Sequence, residues 1–567
     1  MLHLSLSLSA FIAVMPLANA APEAVPAENI PPEYAALVPE DAAVVLWVAD
    51  PQALLDEYKA DAESMHAPGE IPNSMNQVFD YVFKSNVTIP ISEPVIIWVD
   101  HLPKPGARGK DVRATGAFKA AGANAQNVTA LPGQKVFFSG DMMIMRKAEL
   151  GPWSKPEKPN TRLTSALPTA DVVAAFDGKQ MSAELEIAMR QFGALGMVMA
   201  QGLMKEREQA AKPEDRALVK RTQQQGFTAM QRLINGTMDG MKRVDVMTLA
   251  VNLKKGDLQL DLDMHYPTRI QKDYGVEMSL IEAVPGGMPV YLALDQAAIR
   301  WVSEMKHDFM EILLVMDAAQ IKLYEKMGKQ AAKLTSLLNN GIAGGIGIGD
   351  RYEWMVMNVS DLNTFMRGAD ELMKEVNDLS IGVKTKQTSK HSWAIDVDGA
   401  KIAKIFGGTP LVQEQHARSW GGRFDFSFET KGDRIISKRH PAGKPNFATS
   451  SDTSVRDMLE PKDGGALIAG VSMNLAPLMH AAGVAYMEEA MHQNLQRDEK
   501  GNFPQIPAAT EAIPFSMILT NPTQKSLSLQ INIAAMKAVR YGMMLTMAGK
   551  FAMEEAESKA KQRDRKN

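Results

Sequence analysis

Val38-Pro39-Glu40-Asp41-Ala42-Ala43-Val44-Val45-Leu46-Trp47-Val48-Ala49-Asp50-Pro51 is the stretch from which the fold is read. Its proline and acids make a turn. Ala43 to Val48 is apolar without interruption and predicts a buried strand. Asp50 is a natural helix N-cap, and Pro51 sits at the first helical position, where its missing N–H costs nothing. A helix over Gln52 to Met65 follows. The unit is turn, strand, cap and helix.

The unit returns three times. Val284-Pro285 leads into a strand over Pro289 to Leu294, with Asp295 as the cap. Leu167-Pro168 leads into Asp171 to Phe176, capped by Asp177. Near Pro461 a strand over Ala466 to Val471 is capped by Ser472 or Asn474. The last two copies each continue into a long helical region and then a hairpin. One hairpin spans Val244 to His265 and turns at Lys254-Lys255-Gly256-Asp257; the other spans Phe515 to Ile533 and turns near Asn521-Pro522. Alternation is clear in Leu258-Gln259-Leu260-Asp261-Leu262-Asp263.

These elements predict an α+β fold of two tandem, duplicated modules, residues 38–270 and 284–546, each a mostly antiparallel sheet packed by long helices. Amphipathic helices are read at Val302 to Met316 and Asp361 to Val376, and a nearly all-apolar one at Met181 to Met204. A third hairpin, Phe424 to Arg439, turns at Lys431-Gly432-Asp433. Gly407 to Gly422 and Lys438 to Ser451 read as loops. Residues 547–567 read as a charged helical C-terminal tail.

Leu4 to Met15 is an apolar stretch that ends before Ala18-Asn19-Ala20, the pattern of a signal peptide over residues 1–20 cleaved after Ala20. Residues 21–37, rich in Pro and Ala, read as a tether. The expected location is periplasmic or secreted. The 567 residues include no cysteine, which excludes disulfides, thiolate metal sites and thiol nucleophiles, so the core must hold without staples. A formal charge of -4 argues against a nucleic-acid partner. No later segment approaches the apolar length of a membrane-spanning helix.

Each chemical motif fails on context. Gly344-Gly345-Ile346-Gly347-Ile348-Gly349 is a poor phosphate loop, because it follows a helix and precedes the strand Tyr352 to Val359. A helix stop at Gly341 and a Gly-rich strand explain it. Gly470-Val471-Ser472-Met473-Asn474 resembles a nucleophile elbow but has Asn474 where the elbow needs glycine, and His480 lies on the next helix. The ten histidines form no tight ligand pair. Asp257, Asp261 and Asp263 share a strand face that could meet calcium but reads as solvated. The sequons at Asn86, Asn127, Asn235 and Asn358 read as accidental. The 38 methionines cluster at Met142, Met143 and Met145, at Met197, Met199 and Met204, at Met355 and Met357, and at Met543, Met544, Met547 and Met553. Core packing explains most of them; an adaptable apolar groove or Cu(I) binding are the alternatives.

The lead-ins Val38-Pro39-Glu40-Asp41-Ala42-Ala43-Val44-Val45 and Val284-Pro285-Gly286-Gly287-Met288-Pro289-Val290-Tyr291 resemble exported bacterial proteins of uncharacterised, domain-of-unknown-function type, with a turn, strand and helix opening each module. That resemblance implies export and a mixed build, and carries over no catalytic residue. The expected function is a non-catalytic binding or structural component of the periplasm or cell envelope. The alternatives are a periplasmic hydrolase with a site built from loops such as Gly407 to Gly422, and a carrier of an apolar ligand or peptide on Met-rich helices. No catalytic, cofactor-binding or metal-ligating residue is assigned, and the reading leans away from an enzyme.

Overall fold

A computed structural model describes residues 30–64, 83–85, 93–100, 113–120, 123, 128–130, 133–183, 186, 205, 213, 216–254, 256–268, 275–300, 318–347, 352–379, 382–406, 417, 421–443, 455–461, 464–480, 483, 511–523 and 525–547. The stretch read as a signal peptide, 1–20, most of the helix read at Met181 to Met204, all of that read at Val302 to Met316, most of the loop read at Gly407 to Gly422 and the residues beyond 547 lie outside the described residues.

The chain is α+β, and its centre is one 18-stranded sheet in which every described pairing is antiparallel. Two strands meet in the middle, β10 (Asp257–His265) and β20 (Ser526–Ile533). One arm runs outward from β10 through β9 (Val246–Lys254), β8 (Val172–Asp177), β1 (Val44–Val48), β3 (Val95–Val99), β4 (Ala114–Lys119) and β7 (Met142–Lys147) to the edge strand β6 (Gln134–Ser139). The other runs from β20 through β19 (Pro514–Thr523), β18 (Ala466–Asn474), β11 (Val290–Leu294), β12 (Leu338–Ile346), β13 (Glu353–Val359), β17 (Arg434–Pro441), β16 (Gly422–Lys431) and β15 (Ser392–Val397) to the edge strand β14 (Val383–Ser389). Apart from it, β2 (Phe83–Ser85) and β5 (Val128–Ala130) form a two-stranded ladder.

The sequence predicts a sheet in each half; the fold joins all the strands into one. The cause lies at the free side of each terminal hairpin. The outer strand of a hairpin carries a row of unpaired N–H and C=O groups, and another strand is their natural partner. Here β10 and β20 satisfy each other. Leu258 pairs with Ile533 and Met264 with Leu527, so the second residue of each strand faces the eighth of the other.

All four predicted caps form. Asp50 accepts from Ala53 N–H at 2.9 Å, Asp177 from Gln180 N–H at 2.9 Å, and Asp295 from Ala298 N–H at 2.7 Å. In the fourth unit Asn474 is the cap, accepting from Ala476 N–H at 3.1 Å and Ile513 N–H at 2.9 Å. Asp361 likewise caps the helix Leu362–Glu375 through Thr364 N–H at 2.9 Å.

Three readings shift. Gly341 does not end a helix: the helix Ala318–Ser336 stops earlier, and Gly341 lies in a bulge of β12. Its φ of 90° is left-handed, and a Cβ there would stand 2.4 Å from the Leu294 carbonyl oxygen, so both conformation and space require glycine. The C-terminal hairpin turns after Thr523, not at Asn521-Pro522, because Asn521 still pairs with Ala466. Residues 30–37, read as the end of a tether, belong to the core: Tyr34 is 1% exposed and meets Trp47 edge-on.

Two apolar clusters cover one face of the sheet, one on each arm. Ile30, Tyr34, Leu37 and Val38 close over Val45, Trp47, Ile96, Trp98 and Val173, with Leu163 of the helix Thr161–Ala166 beside them. On the second arm Val276, Leu280, Ile281 and Val284 close over Tyr291, Ala293, Val356 and Ile518, with Leu459 of the helix Val455–Leu459 beside them. The opposite face carries Met247, Met264, Met473 and Met517 in a cluster that bridges the arms. Core packing is the place of these methionines, of Met142 and Met143, and not of Met543 and Met547, which are exposed.

Candidate functional site

The seam between the arms presents a polar strip on the face that carries the two lead-in clusters. Strand alternation creates it: on β10, Leu258, Leu260, Leu262 and Met264 point one way and Gln259, Asp261, Asp263 and His265 the other. Cross-strand register assembles the strip row by row. Thr248, Asp263, Ser528 and Thr520 stand side by side on four successive strands. Asn252, Gln259, Asn532 and Ser516 form a second row, and Val246, His265, Ser526 and Thr523 a third.

These groups are not solvated. Thr248, Thr520, Ser528, Ser526 and Gln530 are buried, and Asp261, Asp263 and His265 are half-buried. Burying a hydroxyl or amide costs about 1–3 kcal/mol when it lacks a partner, so the strip must bond within itself. Gln259 Nε2 donates to Asp261 at 2.6 Å, Asn532 Nδ2 to Ser516 at 3.2 Å, and the Thr523 and Ser526 hydroxyls meet at 2.7 Å. Among the described residues Thr248 Oγ1 has no hydrogen-bond partner.

A charged corner closes one end. Arg162, from the helix Thr161–Ala166, bonds the carboxylate of Asp177 and reaches Asp245 Oδ1 at 2.8 Å. Asp245 N–H donates to the His265 carbonyl at 2.7 Å, and Gly178 N–H to the Asp245 carbonyl at 2.9 Å. Burial works against the charge of Arg162, but Asp177 and Asp245 outweigh it and hold the guanidinium above its ordinary pKa. Burial lowers the pKa of His265, with Asp263 and Asp245 pulling against it, so the imidazole is neutral at pH 7. The corner combines a guanidinium, a neutral imidazole and several carboxylates, a set suited to fixing a charged or hydrogen-bonding group. Among the described residues no three His, Asp or Glu side chains are arranged to hold a metal ion.

The residues singled out from sequence fall elsewhere or into structural roles. Ser472 lies inside β18, paired with Tyr291 and Ser516 and buried, so no elbow forms there. His480 Nδ1 meets the Tyr541 hydroxyl at 3.1 Å. The Gly344-Gly345 run is strand β12 against Leu292 and Tyr291, where Met288 and Met355 fill the space a Cβ would need. Asn358 is buried with its amide bonded to Glu277 at 2.7 Å, which leaves no room for a glycan. Of the aspartates read as a wet face, Asp257 is exposed while Asp261 and Asp263 join the strip. His265, Thr248 and the serines of β20 were not singled out. The available signal was polar alternation on the last strand of both hairpins.

Compared with protein-family models, with curated proteins and with solved structures, the chain matches none.

Proposed function

We propose that this chain is an exported, non-catalytic binding or structural component of the bacterial envelope, built from two copies of one strand-and-helix plan. What supports the duplication is the likeness of the two arms that lead away from the β10–β20 seam. The order of strands supports it: β9, β8, β1 and β3 lead away from β10 as β19, β18, β11 and β12 lead away from β20. So do the matched lead-in clusters around Val38 and Val284.

The non-catalytic reading rests on the employment of the candidate groups. Asp50, Asp177, Asp295 and Asn474 spend their side chains on helix N–H groups, and Ser472 is a strand residue. The polar strip and charged corner then serve to hold the two halves in register and to fix a polar ligand group at their junction. The apolar stretch ending before Ala18-Asn19-Ala20 supports export of the mature chain. No described helix is long and apolar enough to cross a membrane.

The test is native and denaturing mass spectrometry of the chain purified from a bacterial periplasm, with metal analysis alongside. A mature mass beginning at Ala21, with a small molecule released on denaturation or a defined assembly, is the expected result. A mass that retains residues 1–20, or hydrolase activity lost in Ser472→Ala, refutes the reading. A second reading, carriage of an apolar ligand, is favoured by one observation: Val539, Met543 and Met547 stand exposed at every fourth position of one helix.

A further inference from the structure

The chain contains two Asn-Gly dipeptides, Asn235-Gly236 and Asn340-Gly341. They meet different fates in the fold. Asn235-Gly236 lies within the helix Arg216–Met241, where the glycine N–H is held toward the carbonyl four residues back. Asn340-Gly341 lies in the β12 bulge, skipped by a ladder that pairs Asn339 with Asn358 and then Ile342 with Met357. Asn340 is exposed, and both residues have positive φ, 57° and 90°. Gly341 is itself buried and imposed by its approach to Leu294, but as glycine it brings no side chain of its own to shield its nitrogen from Asn340.

We propose that Asn340-Gly341 is a modification site at which the folded chain converts an amide into a carboxylate without an enzyme. The Gly341 nitrogen loses its proton to solvent base and attacks Asn340 Cγ. The N–Cγ bond forms, the Cγ–Nδ2 bond breaks, and Nδ2 leaves as ammonia after taking up a proton. Water then opens the five-membered imide at either carbonyl, giving aspartate or isoaspartate. One water enters and one ammonia leaves, with no change of oxidation state.

The product changes a specific latch. Glu277 Oε2 now accepts from Asn340 Nδ2 at 3.2 Å and from Asn358 Nδ2 at 2.7 Å, while Oε1 bonds Ser279 and lies 3.6 Å from Arg434. Glu277 N–H also donates to the Asn340 carbonyl at 3.1 Å. Hydrogen bonds from Ser279 and Asn340, with Arg434 nearby, hold the Glu277 carboxyl below its ordinary range, so it is ionised at neutral pH. Conversion removes a donor and sets a second carboxylate against it. The latch ties down the strap that carries Leu280 and Ile281, both fully buried over the second arm. The modification therefore loosens the lead-in of that arm.

The experiment is incubation of the full folded chain in mildly alkaline buffer, followed by digestion and mass mapping of both dipeptides, with a denatured sample in parallel. The expected result is conversion of both sites in denaturant and of Asn340 but not Asn235 in the folded chain. Asn340 surviving as long as Asn235 in the folded chain overturns the site. Asn340→Asp tests the consequence separately: its thermal midpoint falls near neutral pH and recovers when combined with Glu277→Gln. A midpoint equal to that of the unmodified chain, or a loss that Glu277→Gln does not reverse, overturns the latch.

Discussion

Replacing Asp295 with asparagine should separate the cost of a buried charge from the value of a helix cap. Asp295 is fully buried; one carboxylate oxygen caps the following helix through Ala298, and the other, Oδ2, has no partner among the described residues. Burial raises its pKa from 3.8 to about 6, against the pull of the Ala298 and Ala297 N–H groups. A carboxyl whose native pKa is raised binds protons more tightly folded than unfolded, so its ionisation weakens the fold as pH rises from about 4 through about 6. At 1.36 kcal/mol per pKa unit, the penalty above that window is about 3 kcal/mol. Asparagine keeps the capping oxygen and cannot ionise. From pH 4 to pH 7 the variant should gain about 3 kcal/mol on the wild type, over a pH-independent cost of about 1–3 kcal/mol for its unpaired amide group. Urea unfolding of both proteins at the two pH values reads the difference. A gap that does not change with pH would show that Asp295 is not carrying a buried charge.

Four further outcomes follow from particular contacts. Gly178→Ala places a Cβ 2.1 Å from the Val244 carbonyl oxygen and 2.6 Å from its carbon, with backbone on all near sides; a loss of about 3 kcal/mol or more in denaturant unfolding is expected. Trp98→Ala empties a site that is 2% exposed at the centre of the first arm and should cost about 3–5 kcal/mol by the same assay. Asn377 accepts from Thr385 N–H at 2.5 Å and donates to its carbonyl at 2.9 Å, occupying the free side of the edge strand β14. Asn377→Ala should therefore promote concentration-dependent association, seen by size-exclusion chromatography, with a stability change under about 1 kcal/mol. Ser472→Ala should leave stability within about 1 kcal/mol and any ligand release unchanged, since the hydroxyl acts as a strand residue.

Local chemistry was legible in the sequence and long-range pairing was not. The four caps and the strands before them could be read because each cap has a helix N–H partner within three residues; the second partner of Asn474, Ile513, lies far along the chain and could not. The bulge at Asn340-Gly341 could not, because Leu294 and Asp295, which force the glycine, lie far away in sequence. The run Gly344-Gly345 looked like a phosphate loop until Met288 and Met355 were placed against it. The polar strip shows the same limit. Asp261 and Asp263 look like a solvent face within their own hairpin. They become half-buried because Gln530 and Ser528 of the other hairpin stand opposite them. Polar alternation on both terminal strands held that information, but which strand would meet which depended on the whole chain.

The seam also sets a timetable. A ribosome delivers β10 long before β20, and at about 5–20 residues per second the wait from His265 to Ser526 is on the order of 15–50 seconds. Throughout that interval β10 lacks the strand that covers its outer edge in the finished fold, and an open strand edge is a ready partner for a neighbouring chain. The last hairpin to be made is the one that closes it. Truncation before Pro514 would therefore do more than remove a hairpin: it would leave the first half permanently in its most adhesive form.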